Sequence, residues 1–326
     1  MSGSAAPRRA LVTGARGFGG RHLVAHLRTA GHEVWEVDRS APDGAAAGAG
    51  GRAATGDVCD FTFLRELAER ARPDVVFHLA ALTAARAAGP DDHRLYEVNV
   101  LGTRVLLEAL VAADLRPRVL VTSSSAVYGA PPRAAQPIAE DAPLAPQTLY
   151  AASKCAQETL ALTYGRMHGL PVVVTRAFNH TGPGERPEFA VSGFARQIAA
   201  VERGARPPTV RVGNLESVRD FSDVRDVVRG YLEAALRGEP GECYNVCSGE
   251  PRTMAEILEG LRALARLPVR IEVDPVRLQP SDVPYQCGSF AKLEGRTGWR
   301  PGVAFAQTLK DLLDYWRAAP ATEPQT

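Results

Sequence analysis

From Arg9 to about Arg176, short apolar runs rich in β-branched residues alternate with longer amphipathic stretches. The runs are Ala10–Thr13, Glu33–Val37, Val75–Leu79, Val119–Ser123 and Val172–Thr175. Between them, Gly20–Ala30, Phe61–Ala71, Asp92–Ala113 and Tyr150–His168 carry apolar residues at helical spacing. Wholly apolar strands separated by helices predict right-handed βαβ units and an α/β fold whose parallel sheet is covered on both faces. After Ala177 the texture changes, because Pro- and Gly-rich loops (Thr181–Pro187, Gly204–Pro208) break up shorter elements. Within that part, Phe221–Gly249 reads as a return to the sheet, with helix Val224–Arg237 and strand Cys243–Val246. The division expected is a doubly wound domain over 1–176 with about 221–249, and a smaller α/β lobe over 177–220 and 250–326. Ala41–Gly51, low in complexity and poor in apolar bulk, reads as a surface loop, and Pro320–Thr326 as a frayed tail.

Composition narrows the partners. The 326 residues are 45% hydrophobic, enough for a sizeable core, and 38 basic against 37 acidic residues leave a net charge of +1. A balance so even, without a basic patch, argues against nucleic acid or a membrane surface. No apolar run reaches ~18 residues, the length needed to cross a bilayer. Met1–Arg9 leads straight into the first strand without a separate apolar segment, which argues against a signal peptide. The five cysteines (Cys59, Cys155, Cys243, Cys247, Cys287) are scattered, and no second Cys or His cluster completes a metal site around Cys243 and Cys247. They read as reduced thiols of a cytoplasmic protein, and no metal is expected.

The first strand runs into Thr13-Gly14-Ala15-Arg16-Gly17-Phe18-Gly19-Gly20 and then a helix. Glycines at 14, 17 and 20 allow a tight turn, close backbone approach to a pyrophosphate, and close packing of helix on strand. Helix N–H groups just beyond would meet the phosphates. That is the phosphate-binding turn of a Rossmann sheet, with Phe18 and Gly19 inside it. Asp38, at the end of the second run, can accept bonds from both adenosine ribose hydroxyls and repels a 2′-phosphate, which favours NAD. Arg39 beside it would pair with a 2′-phosphate, so NADP stays open. Asp57, with Val58, is placed at the adenine edge. His78-Leu79-Ala80-Ala81 ends the next strand where the dinucleotide would cross the sheet edge.

Tyr150-x-x-x-Lys154 puts a phenol and an ammonium on one helix face. A phenol of pKa ~10 is a poor proton donor at neutral pH, and a nearby cation lowers that value. Only Lys154, Lys292 and Lys310 are lysine among the 38 basic residues, so arginine supplies the surface charge and Lys154 stands out. Ser123-Ser124-Ser125, after the fourth strand, offers a hydroxyl for an oxygen undergoing carbonyl–alcohol interchange.

Together, Thr-Gly-x-x-Gly-Phe-x-Gly, Ser124-x-x-Val127-Tyr128-Gly129 and Tyr150-x-x-x-Lys154 resemble the extended short-chain dehydrogenases, nearly all of which modify nucleotide sugars. The resemblance spans roughly Arg9 to Trp316. It implies Ser124, Tyr150 and Lys154 as the catalytic triad, Asn99 as the residue completing a proton relay, and Phe178 beside the cofactor. It also implies a homodimer in which the helices of 92–113 and 150–168 pair across a two-fold axis. The second half resembles the GDP-mannose 4,6-dehydratases and especially the GDP-6-deoxy-4-keto-mannose reductases. The matching stretches are Arg176-Ala177-Phe178-Asn179-His180-Thr181-Gly182-Pro183-Gly184, Val212-Gly213-Asn214-Leu215-Glu216 and Arg219-Asp220-Phe221-Ser222-Asp223-Val224, followed by Tyr244–Gly249 and Thr297–Pro301. From this branch, Asn179, Arg196 and Arg219 are expected to hold a nucleotide diphosphate, since the guanidinium fork suits phosphate. Thr83, Ser124 and Ser125 would face the sugar.

Two departures refine the reading. The sister dehydratases keep a carboxylate two residues after the catalytic hydroxyl, where this chain has Ala126, so dehydration across C5–C6 is disfavoured. The branch also carries Arg-Pro-Ser-Glu-Val where this chain reads Gln279-Pro280-Ser281-Asp282-Val283, with Arg277 as a substitute for the lost arginine. Chemistry at C4 remains, either a reductase of a 4-keto-6-deoxyhexose or a 4-epimerase with retained NAD. A dinucleotide-sensing regulator on this fold would not need the complete triad.

Overall fold

The fold follows the alternation of the first half closely. A computed structural model of the chain describes residues 8–40, 52–83, 92–278 and 283–320. The runs Ala41–Gly51 and Gln279–Asp282 and the tail from Ala321 lie outside the described residues. In chain order come β1 (Arg9–Thr13), α1 (Phe18–Thr29), β2 (Glu33–Asp38), β3 (Ala53–Thr55), α2 (Phe61–Ala71), β4 (Val75–His78), α3 (Asp92–Tyr96), α4 (Gly102–Ala112), β5 (Arg118–Ser124), α5 (Leu149–His168) and β6 (Val172–Ala177). There follow β7 (Asn179–Thr181), α6 (Ala190–Glu202), β8 (Thr209–Val212), β9 (Val218–Asp223), α7 (Val224–Arg237) and β10 (Cys243–Val246). The chain closes with β11 (Pro251–Thr253), α8 (Met254–Ala263), β12 (Arg270–Val273), β13 (Tyr285–Gln286), α9 (Ala291–Thr297) and α10 (Phe305–Ala318).

Seven parallel strands form one sheet in the order β10-β6-β5-β4-β1-β2-β3. This is the doubly wound Rossmann architecture. Its winding reverses between β1 and β4, the point where such sheets open a crevice at the carboxyl ends of the strands. Leu23, Leu27, Val227 and Tyr231 of α1 and α7 cover one face, while Leu64, Leu67, Leu106 and Leu110 of α2 and α4, with Ala161 of α5, cover the other. Strands buried on both faces must be apolar throughout, which is why β4 and β6 read as continuous hydrophobic runs. The strand Cys243–Val246 pairs with β6 in register Cys243–Val174 through Val246–Ala177.

Away from this sheet, β7, β9, β11 and β13 form a small mixed sheet, and β8 pairs with β12. A separate core of Phe194, Ile198, Ile257, Leu261, Leu312 and Leu313 joins α6, α8 and α10.

One helix departs from expectation. Asp92–Ala113 is not a single α-helix, because residues Glu97–Leu101 form a wider π-turn between α3 and α4. A π-turn shifts the side chains after it around the helix axis and is often found at functional sites. Here it contains Asn99.

Candidate active site

The glycine turn shows its requirements directly. Gly14 has φ +68, and a Cβ there would lie 2.7 Å from the Ala80 nitrogen. A Cβ on Gly20 would lie 2.1 Å from the Gly14 oxygen, so α1 packs onto the turn only without one. Gly17 is the N-cap of α1 with no side-chain cap and no acid in the first turn, which leaves first-turn N–H groups for an anion. Asp38 ends β2, and its carboxylate accepts from the Arg16 N–H at 3.0 Å and the Ser40 hydroxyl at 3.1 Å. The Nη1 and Nη2 atoms of Arg16 are buried and have no hydrogen-bond partner. Unpaired buried donors are costly, and an oxygen-rich ligand at this turn would satisfy them. The cradle and the orphaned guanidinium both fit a dinucleotide. Arg39 is exposed, and Asp57 accepts from the Cys59 N–H at 2.9 Å next to buried Val58.

A cavity of about 800 Å³ runs from this turn between the sheet edge and the C-terminal lobe. Of the expected residues, Gly14, Gly17, Phe18, Gly19, Gly20, Leu79, Ala81, Thr83, Ser124, Ser125, Tyr150, Lys154, Phe178, Asn179, Arg219 and Arg277 line it. Asp38, Arg39, Asp57, Val58 and Ala80 do not; Asp38 and Arg39 lie at the tip of β2, beyond the turn.

Thr148 caps α5 by accepting the Ala151 N–H at 3.1 Å, which starts the helix one residue before Tyr150. Burial pushes the Tyr150 phenol above its ordinary range, and a hydrogen bond with Ser124 pulls it back. The Ser124 hydroxyl oxygen also accepts the Ala126 N–H at 3.2 Å, which fixes the side chain beside Tyr150. Lys154, 2% exposed, donates to the Thr122 carbonyl at 2.9 Å and the Gln157 side-chain oxygen at 2.8 Å. Burial lowers its pKa to about 7 against the opposing charge of Glu158.

Three of the expected residues have surroundings of their own. Asn99 does not reach Tyr150 or Lys154: its amide bonds the Leu82 N–H at 2.8 Å, the Leu82 carbonyl at 3.1 Å and the Ser153 hydroxyl at 3.0 Å. These bonds brace the strand end against the catalytic helix. Arg196 lies off the cavity, because the face of α6 turned inward carries Val191, Phe194 and Gln197. Ser125 lines the cavity, but its hydroxyl is bonded at 3.0 Å to Gln286 of β13, which makes it a latch between the lobes.

The cavity also holds residues that the sequence did not mark. Glu185 is 6% exposed and accepts from the Thr181 hydroxyl at 2.6 Å, and burial raises its carboxyl to about 8. In a Pro- and Gly-rich loop a glutamate reads as solvated, and no sequence signal distinguished it. His22 and Arg21 of α1 bond the carbonyls of Pro183 at 2.8 Å and Gly184 at 3.1 Å and hold that loop over the cavity. Tyr231 of α7 enters from below, at a helical spacing that reads as plain core. Among the described residues no cluster of three or more His, Cys, Asp or Glu could hold a metal ion, and no helix is long and apolar enough to cross a membrane.

The model of the NAD dependent epimerase/dehydratase family matches residues 10–247. The chain belongs to that family. It is 37% identical to GDP-6-deoxy-D-mannose reductase of Pseudomonas aeruginosa over 95% of this chain and 98% of that one. The solved structure of RMD from the same organism, complexed with NADPH, superposes with a TM-score of 0.86 at 35% identity, covering 95% of this chain and 99% of that one. UDP-glucose 4-epimerase of Thermus thermophilus in complex with NAD superposes with a TM-score of 0.84 at 31% identity, over 95% and 99% of the two chains. Both neighbours of this epimerase/dehydratase chain hold a nicotinamide dinucleotide, one of each phosphorylation state.

Proposed function

We propose that this chain is an NAD(P)-dependent nucleotide-sugar enzyme that transfers hydride at sugar C4, acting as the reductase of a 4-keto-6-deoxyhexose carried on a nucleoside diphosphate. The observation that carries the reading is Ser124, Tyr150 and Lys154 converging on one cavity whose wall beside them, among the described residues, carries no carboxylate. Among the described residues, the two carboxyls that line it, Glu185 and Glu188, come from the far loop. The similarity to GDP-6-deoxy-D-mannose reductase supports the same conclusion.

Gly14, Gly17, Gly20, Asp38 and the first turn of α1 would hold the dinucleotide, with Lys154 at its nicotinamide end. When bound, a reduced nicotinamide supplies the hydride. Tyr150 gives its phenolic proton to O4 as C4 gains hydride, so ketone becomes alcohol and the phenolate is left beside the ammonium of Lys154. Ser124 donates to the same oxygen and steadies its charge. Arg219 and Arg277 line the cavity where a diphosphate would extend.

Incubation of a GDP-linked 4-keto-6-deoxymannose with NADPH or NADH is expected to consume reduced cofactor one for one and yield the 4-alcohol. Intact GDP-mannose should neither lose water nor take solvent deuterium at C5. A mass loss of one water would restore the dehydratase. The second reading, a 4-epimerase, is favoured by Asp38 and by the NAD-bound neighbour. Its mark is NAD retained through purification together with C4 interconversion without added cofactor.

Asp38 governs the choice of dinucleotide. Asp38→Ala is expected to improve NADPH relative to NADH binding by about tenfold, the scale of one removed like-charge contact, with Arg16 and Arg39 left to meet a 2′-phosphate. Fluorescence titration decides; a wild type that prefers NADPH, and loses it on substitution, would reverse this assignment.

The assembly is proposed as a homodimer. Tyr96 (38%), Leu101 (50%) and Met167 (73%) are exposed on the outer faces of the π-turn region and α5. A groove lined by Val100, Leu160, Tyr164 and Met167 runs between them. Burying this apolar surface isologously accounts for it. Light scattering should give about twice the 34.8 kDa chain mass, and a single-chain mass at micromolar concentration would exclude the dimer.

A further inference from the structure

Behind the catalytic lysine lies a chain of buried polar side chains that the hydride chemistry does not use. Gln157, Thr103, His78 and Thr13 are all 0% exposed. Their hydrogen bonds can run in only one direction. An ammonium has donors and no acceptor, so at 2.8 Å it must face the oxygen of the Gln157 amide rather than its nitrogen. The Gln157 nitrogen then donates to the Thr103 hydroxyl at 2.8 Å. Thr103 has a single proton, which goes to the Asn99 carbonyl at 2.7 Å in the π-turn. His78, whose Nε2 is 2.9 Å from the same hydroxyl, must therefore donate from Nε2. Its Nδ1 then accepts the proton of Thr13 at 2.7 Å, and Thr13 in turn accepts the Ala80 N–H at 3.3 Å. Burial and the nearby lysine hold His78 near a pKa of about 3, so it keeps this neutral form throughout the working range.

The two ends of the chain both matter. Thr13 directly precedes Gly14, the residue that cradles the dinucleotide turn against Ala80. At the other end, the Thr122 carbonyl and the Gln157 oxygen take two of the three N–H directions of Lys154. Lys154 also lines the cavity, which leaves its third N–H for a partner there. We propose that Gln157 is a positioning residue for Lys154, fixing the ammonium so that its remaining N–H is aimed at Tyr150 and the nicotinamide ribose, and tying it through Thr103 and His78 to the glycine turn.

The charges around Lys154 are few. Glu158 lies one turn further along α5, bonded to Arg176 of β6; Tyr150 lies one turn back, with Tyr231 of α7 beyond it; and His78 from β4 is neutral. An acceptor lost at 157 therefore disfavours the ammonium, and a carboxylate placed there favours it.

The test compares Gln157→Leu with Gln157→Glu. For C4 reduction the working form is neutral Tyr150 with charged Lys154, so the rate falls once the pair loses a proton. Gln157→Leu is expected to lower kcat about tenfold, with KM for the nucleotide sugar within about twofold of wild type. It should also move the alkaline limb of the kcat profile to lower pH, and Gln157→Glu should move it to higher pH. In a Lys154→Met background, Gln157→Leu should add no further loss, because its effect passes through the ammonium. Identical pH profiles in wild type and both variants, or a second tenfold loss on top of Lys154→Met, would overturn the proposal and leave Gln157 as packing.

The assay rests on the C4-reductase reading, so a second arm uses no substrate. NMR titration of 13C-labelled lysine side chains in the dinucleotide-free protein, with Lys154 identified among the three lysines by its absence in Lys154→Met, should show Lys154 losing its proton at lower pH in Gln157→Leu and at higher pH in Gln157→Glu. An inactive wild type with this shift would count against the reductase and support Gln157, whereas an unmoved titration would count against Gln157 whatever the substrate. Should Gln157→Leu fail to fold, the upward shift of the rate profile in Gln157→Glu decides.

Discussion

Tyr150→Phe is expected to lower turnover at C4 by about 10²-fold or more while dinucleotide binding and thermal unfolding stay close to wild type. The substitution removes one oxygen and keeps the ring that lines the cavity. In the proposed reaction that oxygen gives its proton to O4, while Lys154 is held by Thr122 and Gln157. The surroundings oppose each other in a useful way. Burial holds the phenol protonated until the reaction calls for its proton, and the bond with Ser124 favours the phenolate that results. Because Lys154 is buried with a pKa lowered to about 7, its ammonium is present below that pH and is lost above it. Reduction should accordingly slow on the alkaline side, even though free phenols ionise only near pH ~10. A Tyr150→Phe enzyme that kept more than a tenth of wild-type kcat would show that another group delivers the proton.

How far the sequence reveals this site depends on how local the determinant is. The strands β1, β4, β5 and β6 were legible because burial on both faces forces unbroken apolar runs, and helices α2 and α7 because their apolar stripes are regular. Gly14 and the Tyr150/Lys154 pair announce themselves through spacing alone, since a tight turn and one helix face are properties of neighbouring residues. The π-turn at Glu97–Leu101 is invisible by the same logic: its apolar periodicity is that of a helix, and the extra residue per turn is imposed by the contacts of Asn99 with Leu82 and Ser153. Whether Arg196 or its neighbour Gln197 faces the cavity is not legible until the pitch of α6 is fixed by Phe194 and Ile198 in the lobe core. Glu185 bonds Thr181 across an irregular turn and Gln157 bonds Thr103 on another helix, and no periodic pattern distinguishes such residues from solvated ones. The short strands β3, β8, β11 and β13 carry too few residues for alternation to register.

The largest effect on stability is expected at the ion pair beneath the catalytic helix. Arg176, next to last in β6, lies inside the molecule at 6% exposure, and its guanidinium meets both oxygens of Glu158 on α5, at 3.1 and 2.8 Å. Its remaining nitrogen donates to the Tyr128 hydroxyl and the Glu140 carbonyl, both at 2.9 Å. Glu158→Ala would keep a permanent charge buried and remove half of its acceptors, a situation that costs about 3–5 kcal/mol when one partner of a buried pair is deleted. The doubly substituted Glu158→Leu/Arg176→Met chain removes both charges and keeps apolar bulk, and should lie within about 1–2 kcal/mol of wild type. Glu158→Leu, which keeps the bulk and leaves Arg176 unpaired, measured beside Glu158→Ala separates the unpaired charge from the loss of volume. Urea unfolding with an unchanged slope measures both. If Glu158→Ala cost under about 1 kcal/mol, water would have to reach the guanidinium, and the site would be more open than its burial implies. Catalysis gives a second readout on the double variant, which stays folded: Glu158 also favours the Lys154 ammonium, so its alkaline limb should move to lower pH.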